Sequence, residues 1–95
     1  MRFANKATED IWDGIDSKVA RKALPPNLHD VARRRLFAIN AATCLADLGF
    51  PPGNRLEALA GDRKGQHSIR INGQYRVCFR WREGGCTEIE IVDYH

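Results

Sequence analysis

From residue 74 to residue 82 apolar and polar side chains alternate without a break, with Tyr75, Val77, Phe79 and Trp81 in one set and Gln74, Arg76, Cys78, Arg80 and Arg82 in the other. Successive side chains of an extended chain point to opposite faces, so this pattern predicts a strand with one face on a core. The neighbouring segments share the period: Ile69 and Ile71 face inward with Ser68 and Arg70 outward, and Ile89 and Ile91 face inward with Glu88 and Glu90 outward. Asn72-Gly73 and Gly84-Gly85 separate the segments, which predicts antiparallel hairpins. Parity then selects the loops, because a slip of one residue turns every side chain to the wrong face. A loop over residues 71–73 with Gly73 left-handed sets Ser68 opposite Arg76, and a loop over 83–85 pairs Phe79 with Ile89, Val77 with Ile91 and Arg80 with Glu88.

The front of the chain has a helical period instead. Ile11, Ile15 and Val19 recur four residues apart, predicting a helix over about residues 8–22 that Gly14 weakens. A longer helix is expected over residues 28–48, about 31 Å at about 1.5 Å per residue. Asn27 caps it, Asp30 lies in its first turn, Leu28, Val31, Ala32, Leu36, Ile39, Ala42 and Ala46 trace one face, and Gly49 stops it. Helices grouped before strands predict an α+β fold, with two N-terminal helices packed on a twisted, mainly antiparallel sheet. Residues 1–3 are a candidate additional strand.

At 95 residues there is room for one small domain, taken as residues 1–95. With 43% hydrophobic and 28% charged residues the chain lies far from the composition of disordered segments. The longest largely apolar stretch, residues 37–50, is interrupted by Asn40, Thr43 and Asp47, so no membrane partner is expected. Glu9, Asp10 and Asp13 stand where a secretory signal would be apolar, and the expected location is the cytoplasm. Cys44, Cys78 and Cys86 form no C-x-x-C pair and read as reduced thiols rather than as disulfide or zinc ligands. The net charge is +3, and 11 of the 15 basic residues are arginine, whose planar fork suits phosphate.

No phosphate loop, H-E-x-x-H, G-x-S-x-G or G-x-G-x-x-G occurs, which excludes the enzyme classes that depend on them. Polar residues that can carry chemistry gather in three places. The segment from Glu57 to His67 holds Arg63 and Lys64 between Gly61 and Gly65, either as a ligand-binding loop or as an ordinary solvated one. Arg76 shares a strand face with Arg80 and Arg82, a cationic surface or mere solubilising charge. The ending Asp93-Tyr94-His95 offers a carboxylate, a phenol and an imidazole in one short reach, suited to proton transfer. RNA cleavage needs little beyond such groups, since the nucleophile is the substrate's own 2′-hydroxyl.

Residues 51–81, P-P-G-N-R-L-E-A-L-A-G-D-R-K-G-Q-H-S-I-R-I-N-G-Q-Y-R-V-C-F-R-W, and the ending E-I-V-D-Y-H resemble the HigB toxins of the RelE/ParE toxin–antitoxin superfamily, most closely a GraT-like branch. The resemblance implies a RelE-like domain acting as a ribosome-dependent mRNA endonuclease that cuts in the A site, needs no cofactor or metal, and is neutralised by a HigA-like helix-turn-helix antitoxin through which alone it meets operator DNA. It assigns Arg76 to phosphate stabilisation, His95 or Asp93 to proton transfer, and Tyr94 to orientation or base stacking. Arg63 and Lys64 would position RNA, joined by His67 and Arg70. Some HigB toxins have histidine where this chain has Glu57 and lysine where it has Ala60, so one acid/base group and one cation of those relatives are absent here, which implies either a weaker nuclease or Glu57 acting as the base in place of histidine. The alternatives are a ParE-like gyrase inhibitor and a non-catalytic module that binds its antitoxin as a corepressor.

Overall fold

The computed structural model describes residues 1–83 and 85–94. Helices α1 (Lys6–Asp13), α2 (Lys18–Ala23) and α3 (His29–Ala41) precede strands β1 (Glu57–Ala58), β2 (His67–Arg70), β3 (Tyr75–Arg82) and β4 (Gly85–Asp93). The strands form one antiparallel sheet in the order β1-β2-β3-β4. The α+β architecture expected from the sequence is therefore present, with the helices on one face. Ile11, Leu24, Ala32, Leu36 and Ile39 pack against Ile69, Val77, Phe79, Ile89 and Ile91 in a single core.

The helices are shorter than their periodicity suggested. Gly14 adopts φ 74° and closes α1, and Ser17 starts α2 by accepting a hydrogen bond from the Ala20 amide at 3.1 Å. The break leaves Ile15 and Val19 about half exposed rather than on a buried stripe. Pro26–Leu28 forms a tight 3-10 turn, so Leu28 rather than Asn27 occupies the position before α3. At the other end the Asp47 carboxylate accepts hydrogen bonds from the amides of Thr43 and Cys44 at 2.9 and 3.3 Å and from the Thr43 hydroxyl at 3.0 Å. A side chain that binds backbone amides in this way competes with helical pairing, and α3 ends at Ala41. Residues 45–49 form a separate 3-10 turn, and Ala46 is exposed.

Asp10 links the first two helices, accepting from the Ser17 hydroxyl at 2.7 Å and pairing with Lys6 at 2.7 Å. The Lys6 contact, then the Ser17 hydroxyl, holds its carboxyl below the ordinary 3.8. A carboxyl held low contributes stability that is in place above the unfolded value and fades as pH falls through the lower folded value. Asp10→Asn is thus expected to lower the melting temperature at about pH 7, by an amount that shrinks progressively as the pH is taken below the ordinary 3.8, as read by circular dichroism melts.

The first hairpin keeps the expected parity but shifts by two residues. Ser68 pairs with Cys78 and Arg70 with Arg76, because the Asn72 Oδ1 accepts from the amides of Gln74 and Tyr75, both at 2.8 Å, and so shapes a longer turn. Gly73 is not among the residues of positive φ. In the second hairpin Val77 pairs with Ile91 as expected, but Arg82 pairs with Gly85 and Arg80 with Thr87. A bulge marked by Glu88 at φ 55° restores the register, and Arg80 still reaches Glu88 with an ion pair at 2.6 Å. Residues 2–4 lie parallel along β4, with the Arg2 amide bonded to Cys86 and the Ala4 amide to Ile89, and the Thr8 hydroxyl accepts from the Ile91 amide.

Candidate active site

Arg76 leaves β3 on the face away from the helices, yet it is only 7% exposed. A buried guanidinium is tolerated only when its donors are met. Nε donates to the Ser68 hydroxyl at 2.7 Å, while Nη2 donates to the Arg55 carbonyl and to the Ser68 carbonyl at 3.4 Å. The remaining nitrogen, Nη1, stands 4.0 Å from the Glu57 carboxylate. The Tyr94 ring lies with its centroid 5.5 Å from the guanidinium carbon, within cation–π range. Around this group opens a cavity of about 300 Å³ lined by Arg55, Glu57, Arg70, Asn72, Arg76 and Tyr94, with Gly73 at its edge. Three arginines to one carboxylate give the lining a positive balance.

The local sequence explains the convergence. Asn54 is buried and donates to the carbonyls of Leu48 and Phe50 at 3.2 and 3.0 Å, pinning the turn Pro52–Asn54. Arg55 then turns left-handed at φ 46° and ψ 59°, which aims its carbonyl at Arg76. That conformation costs a residue with a Cβ roughly 1–2 kcal/mol. Tyr94 is held at the mouth by its amide, which donates to the Gln74 carbonyl at 2.7 Å. Asp93 is one residue out of step, pairing with Tyr75 along the ladder and accepting from the Gln74 side-chain Nε2 at 3.0 Å. His95 lies outside the described residues.

The polar face of the central strand, expected to meet solvent, is covered. Ser68 and Cys78 are fully buried beneath the segment from 57 to 66. Arg63, in the turn Gly61–Arg63, latches that segment down by donating to Gln66 at 3.1 Å and to Glu90 at 3.2 Å. Gly65, at φ 93°, leaves room for the Arg80 guanidinium, which a Cβ there would strike, so this glycine admits a neighbouring side chain rather than a ligand. Lys64 is exposed. His67 lies on the core side, stacked on Phe79 with centroids 6.4 Å apart, and is not brought to the cavity. Of the residues singled out from sequence, Glu57, Arg70, Arg76 and Tyr94 meet there. The cysteines are free; burial pushes the Cys78 thiol up and the Cys86 thiol up to about 11.

Residues 2–95 match the family described as RelE-like toxins of the type II toxin–antitoxin system HigB. The chain belongs to the HigB-like toxin family. Toxin HigB-1 of Vibrio cholerae is 38% identical over 84 residues, which are 88% of this chain and 85% of that relative. Endoribonuclease HigB of Proteus vulgaris is 31% identical over 78 residues, 82% and 84% of the two chains. Membership in a toxin–antitoxin family implies an antitoxin partner. No helix among the described residues is long and apolar enough to cross a membrane.

This HigB-like chain also uses three residues that pattern reasoning did not assign to the site. Ser68 was set opposite Arg76, and the contact forms, although from the diagonal position. Asn72 was read only as a turn residue, and Arg55 had no periodicity to mark it. Its one signal is its place three residues after Pro52 in a segment that also contains Glu57.

Proposed function

We propose that this HigB-like toxin is an endoribonuclease that cuts translated mRNA in the ribosomal A site, with residues 1–95 acting as one toxin domain. The observation that carries the reading is Arg76, a guanidinium held by Ser68 and the Arg55 carbonyl at a cationic cavity with a carboxylate and an aromatic ring beside it. The name of the Proteus vulgaris relative supports the same chemistry.

Glu57 takes the proton from the 2′-hydroxyl, the 2′-oxygen attacks phosphorus, and the 5′-oxygen leaves with a proton from an acid. The products are a 2′,3′-cyclic phosphate and a free 5′-hydroxyl. Arg76 meets the charge that builds on the non-bridging oxygens, and its fixed donors need no reorganisation as the charge develops. Tyr94 stacks on a base. Asp93 and His95 supply the remaining proton-transfer capacity, and Arg70 and Lys64 contact the RNA backbone. Arg63, engaged by Glu90, and His67, stacked on Phe79, take structural places instead. The partners are a HigA-like helix-turn-helix antitoxin, the ribosome with its mRNA, and operator DNA through the antitoxin, all in the cytoplasm.

Primer extension on an mRNA in translating ribosomes, with free RNA alongside and EDTA in a parallel set at magnesium that keeps ribosomes intact, tests this. Discrete A-site cuts that require the ribosome are expected. Intact mRNA accompanied by growth arrest would replace this reading with gyrase inhibition, and intact mRNA without arrest with an antitoxin-binding corepressor.

A further inference from the structure

We propose that Arg55 is a phosphate-binding residue of this site, its guanidinium taking a second RNA phosphate beside the one met by Arg76. The proposal rests on the nuclease reading above. Its starting point is a mismatch between residue and backbone: Arg55 occupies φ 46°, a conformation that favours glycine, and it is one of two non-glycine residues with positive φ among the described residues. The task performed by its backbone is to offer a carbonyl to Arg76. Glycine would offer the same carbonyl without strain, so neither the turn nor Arg76 calls for an arginine side chain. Strain of this kind persists where the surrounding structure holds it for function.

The side chain has no structural employment either. Arg21, Arg33, Arg35, Arg63, Arg76 and Arg80 all donate to a carboxylate, a carbonyl or another side chain, and of the arginines that do not, only Arg55 and Arg70 line this cavity. Among the described residues the Arg55 guanidinium has no hydrogen bond or ion pair, and it is exposed on the wall of the cavity. Glu57, the carboxylate of that wall, stands by Arg76, so the charge of Arg55 is left uncompensated. An uncompensated planar fork on the same cavity as an aligned one suits a phosphate beside the one met by Arg76. Asn54 anchors the turn from beneath, so the backbone under Arg55 is ordered before RNA arrives.

Three proteins decide the matter: the natural chain, Arg55→Gly and Arg55→Lys. Each is assayed for cleavage on programmed ribosomes, for melting temperature, and for the salt dependence of binding to a single-stranded RNA carrying one 2′-deoxy sugar at the cut position. Arg55→Gly is expected to melt at or above the natural chain while its cleavage falls about tenfold to a hundredfold, the scale of a lost charge-assisted contact. The slope of log affinity against log salt should shrink by about 0.7, one phosphate fewer. Arg55→Lys should recover part of the cleavage and most of the slope. Natural cleavage and slope in Arg55→Gly would overturn the proposal, as would a loss of activity that follows a lowered melting temperature with the slope unchanged. Failure of the natural chain to cut would refute the nuclease reading instead, and the salt slopes would still decide whether Arg55 holds a phosphate.

Discussion

Arg76→Lys is expected to reduce mRNA cleavage by about a hundredfold or more, the range seen when one preorganised transition-state donor is lost. Lysine keeps the positive charge but presents a single nitrogen. Its three N–H donors diverge from that one point and cannot take the separate places that Arg76 fills with Nε at the Ser68 hydroxyl, Nη2 at the Arg55 carbonyl and Nη1 toward Glu57. Arg76→Ala should be at least as inactive. It also strands buried acceptors, at about 1–3 kcal/mol for each left unmet, and so should melt at a lower temperature than Arg76→Lys. Cleavage time courses on programmed ribosomes, paired with circular dichroism melts, separate the two effects. Near-natural cutting by Arg76→Lys would mean that charge alone, not the aligned fork, acts in the site.

The largest loss of stability is expected from Phe79→Ala. Phe79 is the bulkiest of the fully buried side chains, standing at the centre of β3 where the sheet meets the helices. Truncating a buried phenylalanine costs about 3–5 kcal/mol through lost transfer energy and the cavity left behind. Domains of ordinary stability hold only about 5–15 kcal/mol in total. The urea midpoint should therefore fall steeply with little change in slope. A drop of less than about 1 kcal/mol would show that the core refills the space, most directly by inward movement of the His67 ring stacked on Phe79.

Legibility from the sequence followed the physics of each element. The alternation around Phe79 revealed β3, the Val77–Ile91 pairing and the Arg80–Glu88 ion pair, because a half-buried strand writes its period directly into composition. Helix ends were not legible where a side chain outside the periodic set decided them. Asp47 ended α3 by binding the amides of Thr43 and Cys44, which no apolar stripe records. The same limit hid the longer turn made by Asn72 and the bulge at Glu88. At the candidate site Arg76, Tyr94 and Glu57 came from residue type and family resemblance. Arg55 did not, because its contribution to Arg76 passes through a carbonyl that every residue possesses. Nor could pattern alone show that the outward face of β2 and β3 lies under a latched segment, since Ser68 and Cys78 read as surface residues until Arg63 and Glu90 are joined.

The run of residues 2–4 along β4 has a consequence for how other proteins can hold this toxin. A bare outer strand invites another chain to extend the sheet, in assembly or in aggregation. Here the hydrogen-bonding groups of Cys86 and Ile89 are already taken by Arg2 and Ala4, the Ile91 amide by the Thr8 hydroxyl, and the opposite margin is the two-residue strand Glu57–Ala58. A neutralising protein that tried to lengthen the sheet along this part of β4 would first have to peel away the toxin's own N-terminus. Recognition along this part of β4 would therefore fall to side-chain packing and charge, which leave the toxin's own backbone pairing intact.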